Sequence, residues 1–327
     1  MRDESQSWQQ ILATGFSNAA DLLDFLELPR DPASVEAERL FATRVPRGFA
    51  ARMEKGNLSD PLLLQVLSQV SELETHSAFT PDPLGEKESN PLTGLIHKYH
   101  GRVLLTVTGT CAINCRYCFR RHFPYQENNP GRQGWLRVLD YIRADTSIHE
   151  VIFSGGDPLL ATDKTLGFLI AELESVPHVT TLRIHTRVPV VLPERITPAF
   201  CQLLHQSRLS VVVVLHINHP RELNYEVENV CDALRRQGCH LLNQSVLLKG
   251  VNDSSGVLIA LSQQLFAYGI MPYYLHLLDK VQGAAHYDVS EEEAKRLHQA
   301  LFENLPGYLV PRLVREVPHA RHKICIF

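Results

Sequence analysis

Three cysteines that lie close together are the residues of this chain best suited to chemistry. Cys111, Cys115 and Cys118 follow the spacing C-x3-C-x2-C, and the remaining cysteines, of seven in all, are scattered. Three thiolates at this spacing can hold three irons of a four-iron cluster, whereas electron-transfer clusters normally have four cysteine ligands. The sequence therefore predicts a cluster whose fourth iron is open to another ligand, such as the amine and carboxylate of an amino acid.

A zinc site is the alternative interpretation of this loop. His122 follows the last cysteine by four residues, so the three thiolates and this imidazole could form a tetrahedral Cys3His set. The loop comes directly after a predicted strand and is followed downstream by a glycine pair, and this context favours the cluster. In either case a metal, rather than a disulfide framework, is expected for three clustered thiols in a reducing compartment.

The cysteine loop follows the first of six short runs rich in β-branched residues, which alternate with helical patterns. These runs cover residues 103–108, 150–153, 180–185, 211–217, 241–248 and 271–277. Such alternation predicts a parallel sheet covered by helices, and six units favour an α/β fold built as a partial, open (β/α)6 barrel. Chemistry in barrels gathers at the carboxyl ends of the strands, which is where the cysteines, SGGD, HTR and other polar segments fall.

The first part of the chain has a different pattern. Residues 8 to about 75 carry apolar residues at spacings of three and four, most clearly in 7–13, 18–28 and 60–73, which predicts helices. Residues 76–95 are rich in Pro, Ser and Gly and are interpreted as a connection. We therefore expect an N-terminal helical region with its linker over residues 1–95, and the barrel with a C-terminal segment over residues 96–327.

Composition restricts the partners. The chain is 44% hydrophobic and 21% charged, and its formal net charge is -4, so no basic face for nucleic acid is predicted. No apolar run has membrane-spanning length, and the polar N-terminus lacks the core of a signal peptide. We expect a cytoplasmic protein without membrane or nucleic-acid partners.

Six ordered segments together resemble a known family. They are RVLLTVTGTCAINCRYCFRR, VIFSGGDPLL, RIHTRVPVVLPERIT, HINHP, NQSVLLKGVND and MPYYLHLLD. The chain resembles the radical S-adenosylmethionine (SAM) superfamily and, within it, the lysine 2,3-aminomutases, especially the short branch that supplies β-lysine for modifying elongation factor P. The resemblance implies a radical SAM barrel, a 4Fe–4S cluster, SAM and pyridoxal 5'-phosphate (PLP), with L-lysine as substrate and an external one-electron donor.

The resemblance also implies roles for residues at the predicted strand ends. The turn Ser154, Gly155, Gly156 and Asp157 is expected to approach the amine of SAM, since glycine lacks the Cβ that would block a close backbone approach. His216 and Gln244 match family positions near the adenosyl group. Their alternative role is that of polar residues satisfied within the core.

PLP requires a lysine, and the resemblance selects one. The segment GYLVPRLVREVPHARHK aligns with the family pattern without gaps and places Lys323 at the PLP lysine, although HARH replaces the glycine-rich loop of the family. Lys249 and Lys280 are the other lysines near predicted strand ends. Arg102 matches a family arginine that contacts PLP.

Substrate selection is expected from charge. Asp279 and Glu316 match the family positions that hold the ε-ammonium of lysine, although the usual second residue is Asp, and His276 replaces a family Tyr. Arg120 matches the residue that binds the substrate carboxylate, for which a planar guanidinium is well suited. Two carboxylates in the pocket favour lysine over glutamate as the substrate.

The C-terminus resembles the elongation-factor-P branch, because catabolic lysine aminomutases continue well past the PLP lysine and this sequence stops at Phe327. The resemblance then implies a functional link to elongation factor P and to the separate ligase that attaches β-lysine. Three alternatives remain open: an aminomutase for another amino acid, a radical SAM enzyme that modifies RNA, and a zinc-bound scaffold.

Overall fold

The computed structural model describes residues 6–31, 34–86, 88–128 and 130–327. In these ranges one sheet of nine strands organises the molecule. The strands are β1 (Leu95–Tyr99), β2 (Arg102–Thr108), β3 (Glu150–Gly155), β4 (Thr181–Thr186), β5 (Ser210–His216), β6 (His240–Val246), β7 (Met271–His276), β8 (Arg312–Arg315) and β9 (Ile324–Cys325).

The strands follow one another across the sheet in chain order. Each neighbouring pair from β2 to β8 is parallel, and β1 and β9 add antiparallel edges. Because the order is linear, β1 and β9 do not pair with each other, and the barrel is open. The six predicted strands correspond to β2–β7 and confirm the α/β partial barrel, whereas β1, β8 and β9 were not predicted.

The connections between the parallel strands are helical, as a parallel sheet requires. The helices of the barrel are α5 (Gly131–Ala144), α6 (Asp163–Glu174), α7 (Val188–Val191), α8 (Pro198–His205), α9 (Tyr225–Arg236), α10 (Ser255–Ala267) and α11 (Glu291–Asn304). Side chains of Thr162, Thr197, Asn224 and Ser290 cap four of these helices by accepting a backbone N–H hydrogen bond. The predicted helices of this region are confirmed.

The N-terminal region contains α1 (Trp8–Ala13), α2 (Ala19–Phe25), α3 (Ser34–Leu40) and α4 (Arg47–Ala50). The helix predicted over 60–73 is wrong, since turns lead there to a short 3-10 helix at Val70–Leu73. Oδ1 of Asp60 accepts from the backbone of Leu62 and Leu63, and the Gln65 amide donates to the Pro61 carbonyl. The Asp60 bonds are of the kind that caps a helix, but the backbone that follows forms turns and does not continue as a regular helix.

The apolar core lies between the sheet and the helices, and the opposite face of the sheet lines a cavity. In β4 the side chains alternate accordingly: Leu182 and Ile184 are buried in the core, while Arg183 and His185 face the cavity. This alternation is stronger than the sequence suggested. None of the helices in the described ranges is long and apolar enough to cross a membrane.

Candidate active site

The barrel encloses a cavity of about 740 Å³. Every predicted site residue lines it: Arg102, Cys111, Cys115, Cys118, Arg120, Ser154, Gly155, Gly156, Asp157, His216, Gln244, Asp279, Glu316 and Lys323. These residues come from loops and strand ends between residues 102 and 323, and the fold brings them to one cavity. Their individual roles remain predictions.

The cysteine loop, which follows β2, is fastened to the N-terminal region. Arg44 donates from Nη1 to the carbonyl of Cys111 at 2.9 Å, and Asn114 bonds to the carbonyls of Arg44 and Ala42. These contacts hold the loop without using its thiols. The sulfur atoms therefore stay available to a ligand in the cavity.

Burial disfavours negative charge on these thiols in the metal-free chain. It raises the pKa of Cys111 well above its usual range, and burial with the neighbouring Cys115 raises the pKa of Cys118 to about 11. Iron supplies the positive charge that stabilises thiolates. Three thiols that line one cavity are a donor set that suits iron, and cluster assembly on them would release their protons.

The zinc interpretation gains no support from His122. This exposed side chain bonds through Nε2 to the carbonyl of Gln282 at 3.2 Å and does not line the cavity. Throughout the described ranges, no group of three or more His, Cys, Asp or Glu side chains, the three cysteines included, is arranged as it stands to hold a metal ion. The interpretation of the cysteine loop as a metal site therefore rests on its spacing and on its place at the cavity.

The SGGD turn packs tightly against the cysteine loop. A Cβ on Gly155 would lie 2.4 Å from the carbonyl oxygen of Thr108, and one on Gly156 would lie 2.3 Å from that of Thr110. Gly155 also has a φ of +118°. The glycines are therefore required where two protein loops pass each other, a reason that the sequence analysis did not identify.

Asp157 uses its carboxylate within the protein. Oδ1 accepts from Thr186 Oγ1 at 2.7 Å, and Oδ2 accepts from the backbone N–H of Arg187 at 2.7 Å and of Val188 at 3.1 Å. These bonds join the turn after β3 to the end of β4. What the turn can offer a ligand is therefore chiefly backbone.

His216 and Gln244 are paired in register at the ends of β5 and β6. The His216 ring stacks on Tyr117 and bonds through Nε2 to its hydroxyl at 3.0 Å. Burial lowers the pKa of His216 to about 3, so this imidazole is neutral at physiological pH. A neutral ring and an amide are suitable partners for an adenosyl group.

Ion pairs surround Lys323. Its Nζ bonds to Glu316, which also lies 3.4 Å from Lys98 Nζ and 3.2 Å from the hydroxyl of Tyr99. Burial would raise the pKa of Glu316, but the ammonium groups of Lys323 and then Lys98 outweigh it and lower that pKa to about 2. The C-terminal tail is held by β9, which directly follows Lys323 and pairs with β8.

Asp279 faces the same cavity, but its pKa is shifted in the opposite direction from that of Glu316. Burial and the neighbouring charge of Glu316 raise its pKa to about 7. The two carboxylates thus compete for positive charge, and Glu316 has more of it nearby. A cation that enters beside Asp279 would favour the ionised form of this carboxyl.

Arg120 already has a partner. Its Nε and Nη2 donate to the two oxygens of Glu86 at 2.6 and 2.8 Å, and its Nη1 donates to Ser154 Oγ at 3.1 Å. Glu86 lies 3.3 Å from Lys98 as well. The predicted carboxylate-binding arginine is therefore oriented by a buried bidentate pair, with one edge directed to the turn after β3.

Several residues of the cavity were missed by sequence reasoning. The clearest are Glu86 and Lys98, which link Arg120 to Glu316, and His185, whose buried Nε2 has no hydrogen-bond partner among the described residues. Glu86 lies in the segment interpreted as a connection, where an acidic residue carries no signal. His185 lies in the HTR segment, which marked the strand end without singling out a residue.

Comparison with known proteins identifies the class to which this site belongs. Residues 105–260, which include the cysteine loop, the SGGD turn and the ends of β3 to β6, match the family model of the radical SAM superfamily. The chain is thus a radical SAM enzyme, and this assignment implies a 4Fe–4S cluster and SAM as cofactors.

Full-length relatives narrow the class. L-lysine 2,3-aminomutase of Haemophilus influenzae is 51% identical over 96% of this chain and 94% of its own length. The proteins of that name from Escherichia coli and Buchnera aphidicola are 49% and 42% identical, over 95% and 99% of this chain and 92% and 96% of their own lengths. The chain belongs to the lysine 2,3-aminomutase family and is an isomerase.

Proposed function

We propose that this protein converts L-lysine to β-lysine with SAM and PLP, after reduction of its cluster by an external one-electron donor. One observation carries the proposal: a single cavity is lined both by the three cysteines and by Lys323 with two carboxylates. The bound cofactors would supply the radical and the group that carries the migrating amine. The protein supplies position and charge.

The substrate would span the ion-paired half of the cavity. Arg120, oriented by Glu86, would donate to the α-carboxylate through Nη1, which now contacts Ser154 Oγ, and Asp279 with Glu316 would accept the ε-ammonium. This arrangement favours a chain with a cation at its far end. A glutamate side chain would place a third carboxylate beside the same two, which costs energy in a buried site.

The Lys323 ammonium contacts Glu316. PLP bound covalently at Lys323 would engage this amine and leave the contact with Glu316 to the substrate cation. We infer that Lys323 holds PLP and that Arg102 contacts it. Arg102 lines the same cavity, and its guanidinium lies 4.8 Å from the centre of the Tyr99 ring, whose hydroxyl bonds to Glu316. Loading with PLP would thereby prepare the pocket for lysine.

The test is an anaerobic assay of reconstituted protein with SAM, PLP, a reductant and L-lysine, analysed for β-lysine by mass spectrometry. L-glutamate and an RNA substrate pool serve as parallel substrates for the two alternative enzymes. Formation of β-lysine alone supports the proposal. Formation of β-glutamate or modified RNA without β-lysine would refute it.

For the biological role, we propose that the β-lysine is made in the cytoplasm and attached to elongation factor P by a separate ligase. The resemblance of the six sequence segments to that branch supports the proposal, as does a formal net charge of -4, which suits a small amino acid better than nucleic acid. Deleting the gene should remove the β-lysyl mass from elongation factor P, and β-lysine in the medium should restore it. Retention of the mass would contradict the role.

A further inference from the structure

Arg187 connects the cysteine loop to the end of β4. Its side chain is buried, and Nη1 donates to Cys115 Sγ at 2.7 Å and to the hydroxyl of Tyr117 at 3.0 Å. In the described part of the chain, no side chain donates to the sulfur of Cys111 or Cys118. One of the three cluster thiols is therefore distinguished by a guanidinium.

The guanidinium is fixed in this position. Its Nη2 donates to Glu222 Oε2 at 2.8 Å and to Gln65 Oε1 at 2.6 Å. Glu222 is fully buried and accepts in turn from the backbone N–H of Asn218 and His219 at 2.9 and 3.1 Å. Moving Arg187 away from Cys115 would leave a buried carboxylate without its cation, which is costly.

Arg187 contacts the Cys115 sulfur with one side of its guanidinium and the Glu222 carboxylate with another. The guanidinium lies between the sulfur and the Glu222 carboxylate, so its N–H groups place positive charge at the sulfur while the carboxylate stays behind it. Hydrogen bonds and positive charge at a ligand sulfur stabilise the more negative state of an iron–sulfur cluster. That state is the one formed when the cluster gains an electron.

We propose that Arg187 is a positioning residue that acts through Cys115 to raise the reduction potential of the cluster, and that Glu222 limits this increase. In the step concerned, the external donor loses one electron and the cluster gains it, with no bond formed or broken. The inference rests on the proposed cluster, and it adds to the proposed function a residue that governs how easily the donor can reduce the enzyme.

The experiment measures the midpoint potential of the reconstituted cluster by an EPR-monitored redox titration without SAM, PLP or lysine. Arg187→Met, alone and combined with Glu222→Gln, removes the donor. At a fixed potential, we expect the ratio of reduced to oxidised cluster to fall about tenfold, which corresponds to about 59 mV for one electron. Arg187→Lys, which keeps the charge, should recover part of the shift.

Glu222→Gln alone provides a test of sign, because it leaves the guanidinium uncompensated and should raise the potential. Arg195→Met is the matched control, since Arg195 is a fully buried arginine that pairs with Asp163 and contacts no cysteine. Its potential should equal that of the wild type. The Glu222→Gln and Arg187→Lys variants retain a cation at Cys115, so they decide the matter if the Met variants do not fold.

Equal potentials in all folded variants with full iron content would overturn the inference and leave the proposed function intact. A fall in potential in Glu222→Gln would overturn it as well. A wild-type protein that binds no cluster after reconstitution would instead contradict the proposed function.

Discussion

The two halves of the cavity are built differently. The cluster half is formed by three thiols on a short loop that backbone and side-chain hydrogen bonds hold in place, with one guanidinium at Cys115. The half around Lys323 is formed by ion pairs between residues far apart in the chain, from Glu86 to Lys323. The first half thus has its thiols on one short loop, and the second depends on a network of ion pairs.

This difference matches two tasks. A cluster needs ligands at fixed geometry and a controlled environment for one electron, which a locally folded loop can provide. A substrate with a carboxylate and two amines needs opposite charges several ångströms apart, and long-range ion pairs provide these. We expect changes in the first half to abolish the chemistry and changes in the second to alter binding and selectivity.

The largest effect should come from Cys118→Ala, which removes a predicted iron ligand from the cluster half. Without the cluster, activity should fall by at least about a thousandfold, equivalent to about 4 kcal/mol. Iron and sulfide analysis and the β-lysine assay measure this. Cys201→Ala, in the outer helix α8, is the control and should keep both. Full iron content in Cys118→Ala would show that Cys118 does not hold the cluster.

Lys323→Ala tests whether the charged half holds PLP. The variant should lose the PLP absorbance and at least about a hundredfold of activity, or about 2.7 kcal/mol, while its cluster spectrum stays unchanged. Lys280→Ala, at an exposed lysine 3.8 Å from Asp288, is the control. PLP bound at full occupancy and unchanged absorbance in Lys323→Ala would refute the assignment.

Asp279→Asn tests the charge of the half around Lys323 through the pH dependence of lysine binding. The pKa of Asp279 lies at about 7, so the carboxyl is neutral in more acidic solution and attracts the lysine ammonium only when it ionises. The KM for lysine in the wild type should therefore fall between about pH 6 and about pH 8. In the variant, KM should be raised about 10- to 100-fold, or about 1.4 to 2.8 kcal/mol, and should not follow this pH profile.

The control for Asp279 is Asp288→Asn, at a partly exposed carboxylate beside Lys280, which should keep the wild-type profile. Steady-state kinetics at each pH, with cluster content held equal, provide the measurement. A variant KM equal to that of the wild type near pH 8 would show that this carboxylate does not hold the substrate.

The smallest effect is expected for His122→Ala. Because His122 bonds to a backbone carbonyl and lies outside the cavity lining, its loss should change iron content and activity by less than about twofold. Metal analysis distinguishes this from the zinc alternative. Loss of bound metal in this variant would show that His122 is a metal ligand and would support the zinc alternative.

Much of the barrel could be predicted because its signals are local. Six β-branched runs and the helices between them appear in the sequence at the periods of strands and helices, and β2–β7 fall where those runs lie. Strands β1, β8 and β9 were missed, since β8 and β9 are short and the pairing of all three depends on neighbours elsewhere in the chain. The helix predicted over 60–73 was wrong, because this segment forms turns and then only a short 3-10 helix at Val70–Leu73.

The sequence by itself determined which residues gather at one mouth of the barrel, because the carboxyl ends of parallel strands meet at the same edge. It also determined the cysteine loop, whose ligands lie within eight positions. Only the tertiary structure decided which charges meet: Glu86 with Arg120, Lys98 with Glu316, and Arg187 with Cys115. Ion pairs and buried hydrogen bonds depend on distances through space, and residue spacing along the chain does not encode those distances.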